Sequence, residues 1–93
     1  MTYQLVYTSS FKKELKKCKK QGRDISLLEN VVDLLLKGEK LPIKNYDHAL
    51  QGSWKGYREC HIQPDWLLIY LVEKDILTLT LIATGSHSDL FKV

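Results

Sequence analysis

The sequence predicts an α+β domain of element order β-α-α-β-β-β, an antiparallel sheet covered on one face by an N-terminal helical hairpin. Three observations lead there. Apolar residues recur at helical spacing in two successive segments between Phe11 and Leu36. From Trp54 onward the period changes to two, with turn residues at Gln63–Asp65 and Glu73–Asp75. Ninety-three residues, 44% apolar and 27% charged, suffice for a single modest core, so residues 1–93 are expected to form one domain.

Tyr3 to Tyr7, rich in aromatic and β-branched side chains, suits a strand. Ser9 and Ser10 then offer hydroxyls to the unpaired N–H groups of a helix start, with Phe11, Leu15 and Cys18 as a narrow apolar stripe. Gly22 supplies the stop. Asp24 is placed to cap a second helix, whose wider stripe of Ile25, Leu28, Val31, Val32, Leu35 and Leu36 is the main helical contribution to a core. Gly38 ends it, and Glu39 to Gly52 has no clear period, which predicts a long loop of the kind that often carries function.

Trp54 to Ile62 alternates well enough for a strand. Trp54, Arg58, Cys60 and Ile62 are expected on one face, and Lys55, Tyr57, Glu59 and His61 on the other. Trp66 to Val72 is a nearly continuous apolar run that fits a central strand. Ile76 to Thr84 alternates leucine with threonine, and its parity places Ala83 with Leu77, Leu79 and Leu81, facing the core. Gly85 and Ser86 break the strand, leaving Leu90 and Phe91 to anchor the tail. The sheet face away from the helices is the natural place for a site.

No apolar run approaches the roughly 20 residues that span a bilayer, and the first residues lack the basic-then-apolar pattern of an export signal. Two cysteines, Cys18 and Cys60, fit neither a disulfide scaffold nor a zinc motif, so reduced thiols and a cytoplasmic location are expected. The net charge is +3, but lysines fill six of the nine positions from Lys12 to Lys20. One helix face is therefore strongly basic, which suits a polyanion such as RNA, or else a merely solvated surface.

The densest chemistry lies between Asp47 and Trp66. That stretch holds His48 and His61, both tryptophans, and the basic pair Lys55 and Arg58. The third histidine, His87, follows the last strand. An isolated histidine is most often structural, yet antiparallel neighbours can bring a loop before the meander, two strand ends and the Asp65 turn to one sheet edge. Imidazoles and a carboxylate beside cationic side chains suit metal-free RNA cleavage: a base takes the ribose 2′-OH proton, the oxygen attacks phosphorus, and an acid protonates the leaving 5′-oxygen. A zinc site built from the three histidines and Asp65 is the competing reading, although local ligand spacing is absent. Cys60, adjacent to His61 but opposite in parity, reads as core and not as a nucleophile. Trp54, Tyr57 and Trp66 are either core or base-stacking; core is favoured for Trp54, and Trp66 stays open. Lys55 and Arg58 are phosphate-binding candidates that face opposite ways.

The stretch DHALQGSWKGYRECHIQPDWLLIY, followed by TGSHSDLF, resembles the YafQ branch of the RelE-like bacterial toxins, and the element order is similar along nearly the whole chain. The resemblance implies the toxin of a type II toxin–antitoxin pair, an endoribonuclease that cuts mRNA in the A site of the 70S ribosome and stops translation, without metal or other cofactor. It implies a DinJ-like antitoxin, two copies of which join two toxins in a heterotetramer. It carries catalytic roles onto His48, His61, Asp65 and His87, with His87 as general acid and the base drawn from the other three, and matches the family's C-terminal aromatic to Phe91, which is expected to face RNA. One residue departs from the pattern. Relatives commonly carry an arginine just before T-G-S-H, and this chain has Ala83. Either Lys55 or Arg58 takes over that charge, or the chain is an attenuated or non-catalytic binding module. Lys12, Lys13, Lys16 and Lys17 are expected to contact ribosomal RNA.

Overall fold

The structure, a computed structural model, describes residues 2–91. β1 (Gln4–Tyr7) leads into helices α1 (Ser9–Lys20) and α2 (Ile25–Leu36). The short β2 (His48–Ala49) precedes β3 (Arg58–Gln63), β4 (Trp66–Glu73) and β5 (Thr78–Gly85), and a final helix α3 (His87–Phe91) ends the described chain. Single 3-10 turns at Ile43–Asn45 and Gly52–Trp54 flank β2. The sheet has the order β1-β5-β4-β3-β2. The β3–β4–β5 meander is antiparallel as expected, and β1 extends it by pairing in parallel with β5.

Local chemistry accounts for the helix limits. The cap of α1 is Thr8 and not Ser9 or Ser10: its Oγ1 accepts the Phe11 N–H at 3.0 Å. Asp24 caps α2 as predicted, accepting from the Ser26 N–H at 3.1 Å. Both helices end in the same motif, in which a left-handed glycine turns the chain so that two further N–H groups reach back. Gly22 donates to Lys19 and Arg23 to Cys18, while Gly38 donates to Leu35 and Glu39 to Leu34.

The hairpin packs on one sheet face. Phe11, Cys18, Leu28, Val31, Val32 and Leu35 meet Cys60, Ile62, Trp66, Leu68, Tyr70, Leu79 and Leu81 in one cluster. Trp66, expected to be available to RNA, is 0% exposed within it. Its indole N–H donates to Thr84 Oγ1 at 2.9 Å, and that hydroxyl donates to the Leu67 carbonyl at 2.7 Å, so the ring is a satisfied core element with no face left for a base.

Two sequence expectations change on the opposite face. First, strand β3 begins at Arg58, so Trp54 lies on a 3-10 turn, half-buried, instead of in the core. Second, Ala83 does not share the parity of Leu79 and Leu81. Tyr70 pairs with Leu81 and Ile69 with Ala83, which leaves Ile82 as an extra residue in β5. Such a bulge reverses the alternation beyond it. Ala83 therefore joins Leu67 and Ile69, buried residues that lie outside the helix-side cluster. Their burial means that this face has a cover of its own. Helix α3 packs against β5, and its Phe91 ring meets the Trp54 ring edge-on at 6.2 Å.

Candidate active site

Strand register sets the site's floor. His48 pairs with Glu59, Glu59 with Ile69, and Ile69 with Ala83, forming one row across four strands. The adjacent row on that face runs from His61 through Leu67 to Gly85. Because paired residues project to the same side, His48, Glu59 and His61 emerge together from β2 and β3. His87 arrives from the other edge, on the first turn of α3.

Glu59 is the residue that sequence reasoning did not select. Its carboxylate is buried at 5% exposure, with Oε1 3.3 Å from His48 Nε2 and 3.7 Å from His61 Nε2. A carboxylate between two imidazoles can accept a proton from either or orient both. Parity alone placed it beside His61, but nothing in the spacing distinguished it from an ordinary surface glutamate. The His61 and His87 rings then meet edge-on at 5.7 Å, so the three histidines form a continuous line.

Each imidazole is oriented from behind. His48 Nδ1 lies 2.7 Å from the Tyr46 carbonyl, which fixes Nδ1 as the N–H and leaves Nε2 toward Glu59. His87 Nδ1 lies 3.2 Å from Asp65 Oδ1, the same oxygen that accepts the His87 backbone N–H. That backbone bond, then the ring contact, holds the Asp65 carboxyl below the usual carboxylate range. Asp65 is thus an exposed bracket for His87, directing Nε2 away from the turn.

The helix that carries His87 is tied down by a second set of interactions. Ser86 and Asp89 cap each other reciprocally, and Asp89 Oδ1 receives Lys17 Nζ at 3.1 Å. The lysine holds the Asp89 carboxyl below its ordinary value. A Cβ on Gly85 would lie 3.1 Å from Asp89 Cβ, so a larger residue where β5 turns into α3 would crowd the capping aspartate. On α1, Glu14 accepts the Thr84 N–H, and burial raises its carboxyl.

The remaining candidates separate. Lys55 is exposed at the end of the Gly52–Trp54 turn. Arg58 points to the helix side, where it donates to Asp47 Oδ2 at 3.2 Å, and the Tyr70 hydroxyl donates to the other oxygen of that carboxylate. The guanidinium is therefore engaged on the face away from the histidines. Phe91 lies beside His87 at 6.3 Å between ring centres. Lys12, Lys13, Lys16 and Lys17 are exposed along α1. Cys60 is fully buried, and burial pushes its thiol well above the ordinary range, which removes it as a nucleophile.

Glu59, His61 and His87 could also hold a metal, since one ligand atom from each lies within 4.8 Å of the others. Ligands about 2.0–2.2 Å from one ion stand no more than about 4.4 Å apart, so these side chains would have to draw together slightly. This set shares only two members with the His48, His61, His87 and Asp65 site considered from sequence.

Known proteins share this fold. The chain is 40% identical over 86 residues, 91% of each sequence, to the mRNA interferase toxin YafQ of Escherichia coli K12. It superposes on a chain of the E. coli DinJ–YafQ toxin–antitoxin crystal structure with a TM-score of 0.89 and 37% identity, covering 98% of this chain and 99% of that one. A copper-bound mutant toxin from Helicobacter pylori matches with a TM-score of 0.90 and 45% identity, over 98% and 100% of the two chains. Residues 3–92 match the model of the YafQ bacterial toxin of type II toxin–antitoxin systems, and the chain belongs to that family.

Proposed function

We infer that this chain is the toxin of a type II toxin–antitoxin pair: an mRNA interferase that cleaves messages in the A site of the 70S ribosome and halts translation. The observation that carries the reading is the meeting of His61 and His87 at 5.7 Å with Glu59 buried behind His61, inside a YafQ-family fold. Two imidazoles on either side of a phosphate are enough for transesterification. His61, backed by Glu59 and flanked by His48, takes the 2′-OH proton. The 2′-oxygen then forms a bond to phosphorus as the bond to the 5′-oxygen breaks, and His87, bracketed by Asp65, delivers a proton to that oxygen. The products are a 2′,3′-cyclic phosphate and a free 5′-hydroxyl.

This chemistry balances with protein groups alone, so we propose a metal-independent enzyme. A transition metal on Glu59, His61 and His87 would tie up the two imidazoles that take and deliver the protons of the reaction. Chelators should leave cleavage intact, and added cupric ion should inhibit it; inhibition by chelators would overturn the assignment. The working partners are the ribosome and a DinJ-like antitoxin in a two-plus-two heterotetramer, in the cytoplasm.

Ala83 favours a second reading, that of an attenuated or non-catalytic binding module. The bulge turns this position toward the site, where a small side chain supplies no charge for the phosphate. Primer extension on translated messages, comparing wild type with His87→Ala, separates the two. Ribosome-dependent cuts that vanish in the variant support the enzyme, and growth arrest undiminished by the substitution would sink it.

A further inference from the structure

With Trp66 buried, the bases of the message need another flat apolar surface, and the 43–46 turn provides one. Tyr46 is 68% exposed, and its ring lies 5.2 Å from the His48 ring and 5.6 Å from that of His61. Both ring pairs are tilted or edge-on, leaving most of the tyrosine surface open to solvent.

The backbone makes that placement deliberate. Tyr46 has φ 48° and ψ 47°, a left-handed conformation that bulky residues rarely hold and that costs conformational energy. Hydrogen bonds on either side enforce it. The side chain of Asn45, buried at 6% exposure, donates to the His61 carbonyl at 2.8 Å. The Tyr46 N–H donates to the Ile43 carbonyl at 2.9 Å, and its own carbonyl receives His48 Nδ1. The turn thus binds the strand that carries His61 and orients His48, while projecting an aromatic ring outward between them.

We propose that Tyr46 is a base-stacking residue, which packs on the nucleobase of the nucleotide whose 2′-OH is attacked and so contributes to A-site codon preference. The inference rests on the proposed cleavage reaction. A 2′-OH placed at His61 puts the base of the same nucleoside within reach of a ring that touches His61. Aromatic stacking gains affinity with any base and more with purines, which gives preference without hydrogen-bond readout. On the other flank of the histidine line, Phe91 beside His87 is placed to meet the following nucleotide.

The test uses 70S ribosomes programmed with a message carrying 2-aminopurine in the A-site codon, whose fluorescence is quenched on stacking. Tyr46→Phe should retain both quenching and cleavage. Tyr46→Leu should lose the quenching and raise KM roughly ten-fold or more, the scale of one base–aromatic stack, with a smaller effect on kcat. Tyr46→Asn, which accommodates the left-handed backbone, should match Tyr46→Leu and so separate loss of the ring from a disturbed turn. His87→Ala should abolish cleavage and keep the quenching. If the wild type failed to cleave, the proposed reaction would fall, while the fluorescence would still report on the ring. Wild-type quenching that persists in Tyr46→Leu overturns the inference by itself. So does unchanged cleavage together with weakened neutralisation by the antitoxin, which would give the ring to a protein partner.

Discussion

The two faces of β3 divide the molecule's labour. Arg58, Cys60 and Ile62 point toward the helices, where the cysteine and isoleucine enter a dry core and the arginine is closed off by Asp47 at its rim. Glu59 and His61, the residues between them, point to the other side and form the centre of the histidine line. One strand therefore supplies core contacts from one parity and the residues of the proposed chemistry from the other. Glu59 and His61 thus stand on a strand whose other parity is fixed by the core, whereas His48 and His87 come from the short β2 and from α3 and are oriented by the Tyr46 carbonyl and Asp65.

Substitutions on each face should fail in different ways. On the histidine face, His87→Ala should reduce cleavage by roughly 10²–10⁴-fold, the usual contribution of a positioned acid. Its unfolding midpoint should stay at the wild-type value, because the side chain is exposed. On the helix face, Trp66→Ala should cost about 3–5 kcal/mol by denaturant titration, from the vacated volume and the orphaned Thr84 hydroxyl. The residual folded fraction should still cleave. A Trp66 variant of native stability without activity would dissolve the division between faces.

Ala83→Arg sharpens the comparison, since the bulge aims this position at the site. Restoring a guanidinium should raise cleavage by about 10²-fold, the scale on which one electrostatic group acts in such reactions. No gain would give the role to Lys55. A smaller effect is expected on α1. Replacing Lys12, Lys13, Lys16 and Lys17 with alanine should flatten the salt dependence of ribosome association by roughly 0.7 in log–log slope for each phosphate no longer neutralised, with antitoxin binding less affected. An unchanged slope would remove the ribosomal role.

The smallest effect concerns pH. Asp65 and Asp89 both have folded-state values below the ordinary carboxylate range, Asp65 through the His87 N–H and Asp89 through Lys17. A depressed carboxyl adds stability that is fully present above the unfolded value, near pH 4, and is lost as pH falls through the folded value. Amide protection factors in α3, taken against the intrinsic exchange rate at each pH, should therefore hold steady down to about pH 4 and fall below it, ahead of those of the core strands. Simultaneous loss in helix and core would show that the two carboxylates do not fasten α3.

The order of first strand, helical hairpin and meander, the cap of α2 and the stops of both helices were legible because each depends on local chemistry, whereas β2 and α3 were not expected. Asp24, Gly22 and Gly38 do what their side chains, or the lack of one, dictate. The convergence of His48, His61, Asp65 and His87 on one region was likewise expected, since strand ends joined by tight turns have few places to go. What escaped the sequence was non-local or quantised. A single extra residue at Ile82 inverted the expected parity of Ala83, and no composition signal marks a bulge. Glu59 gained its role only through pairing with His48, which required β2 to exist inside a stretch that reads as loop. Trp66 read equally well as core or platform, and Thr84, eighteen residues away, decided the matter by offering its indole a partner.

The parallel pairing of β1 with β5 sets the order in which this molecule can be completed during its own synthesis. Among the described residues β1 has no other neighbour in the sheet, and its partner begins at Thr78. The first strand, and the helices that rest on the sheet, must wait for nearly the whole chain to emerge before they can settle. His87 is made later still. A product interrupted within β5 lacks part of the strand that joins its two ends, and one interrupted anywhere before His87 lacks the histidine on which the proposed cleavage depends.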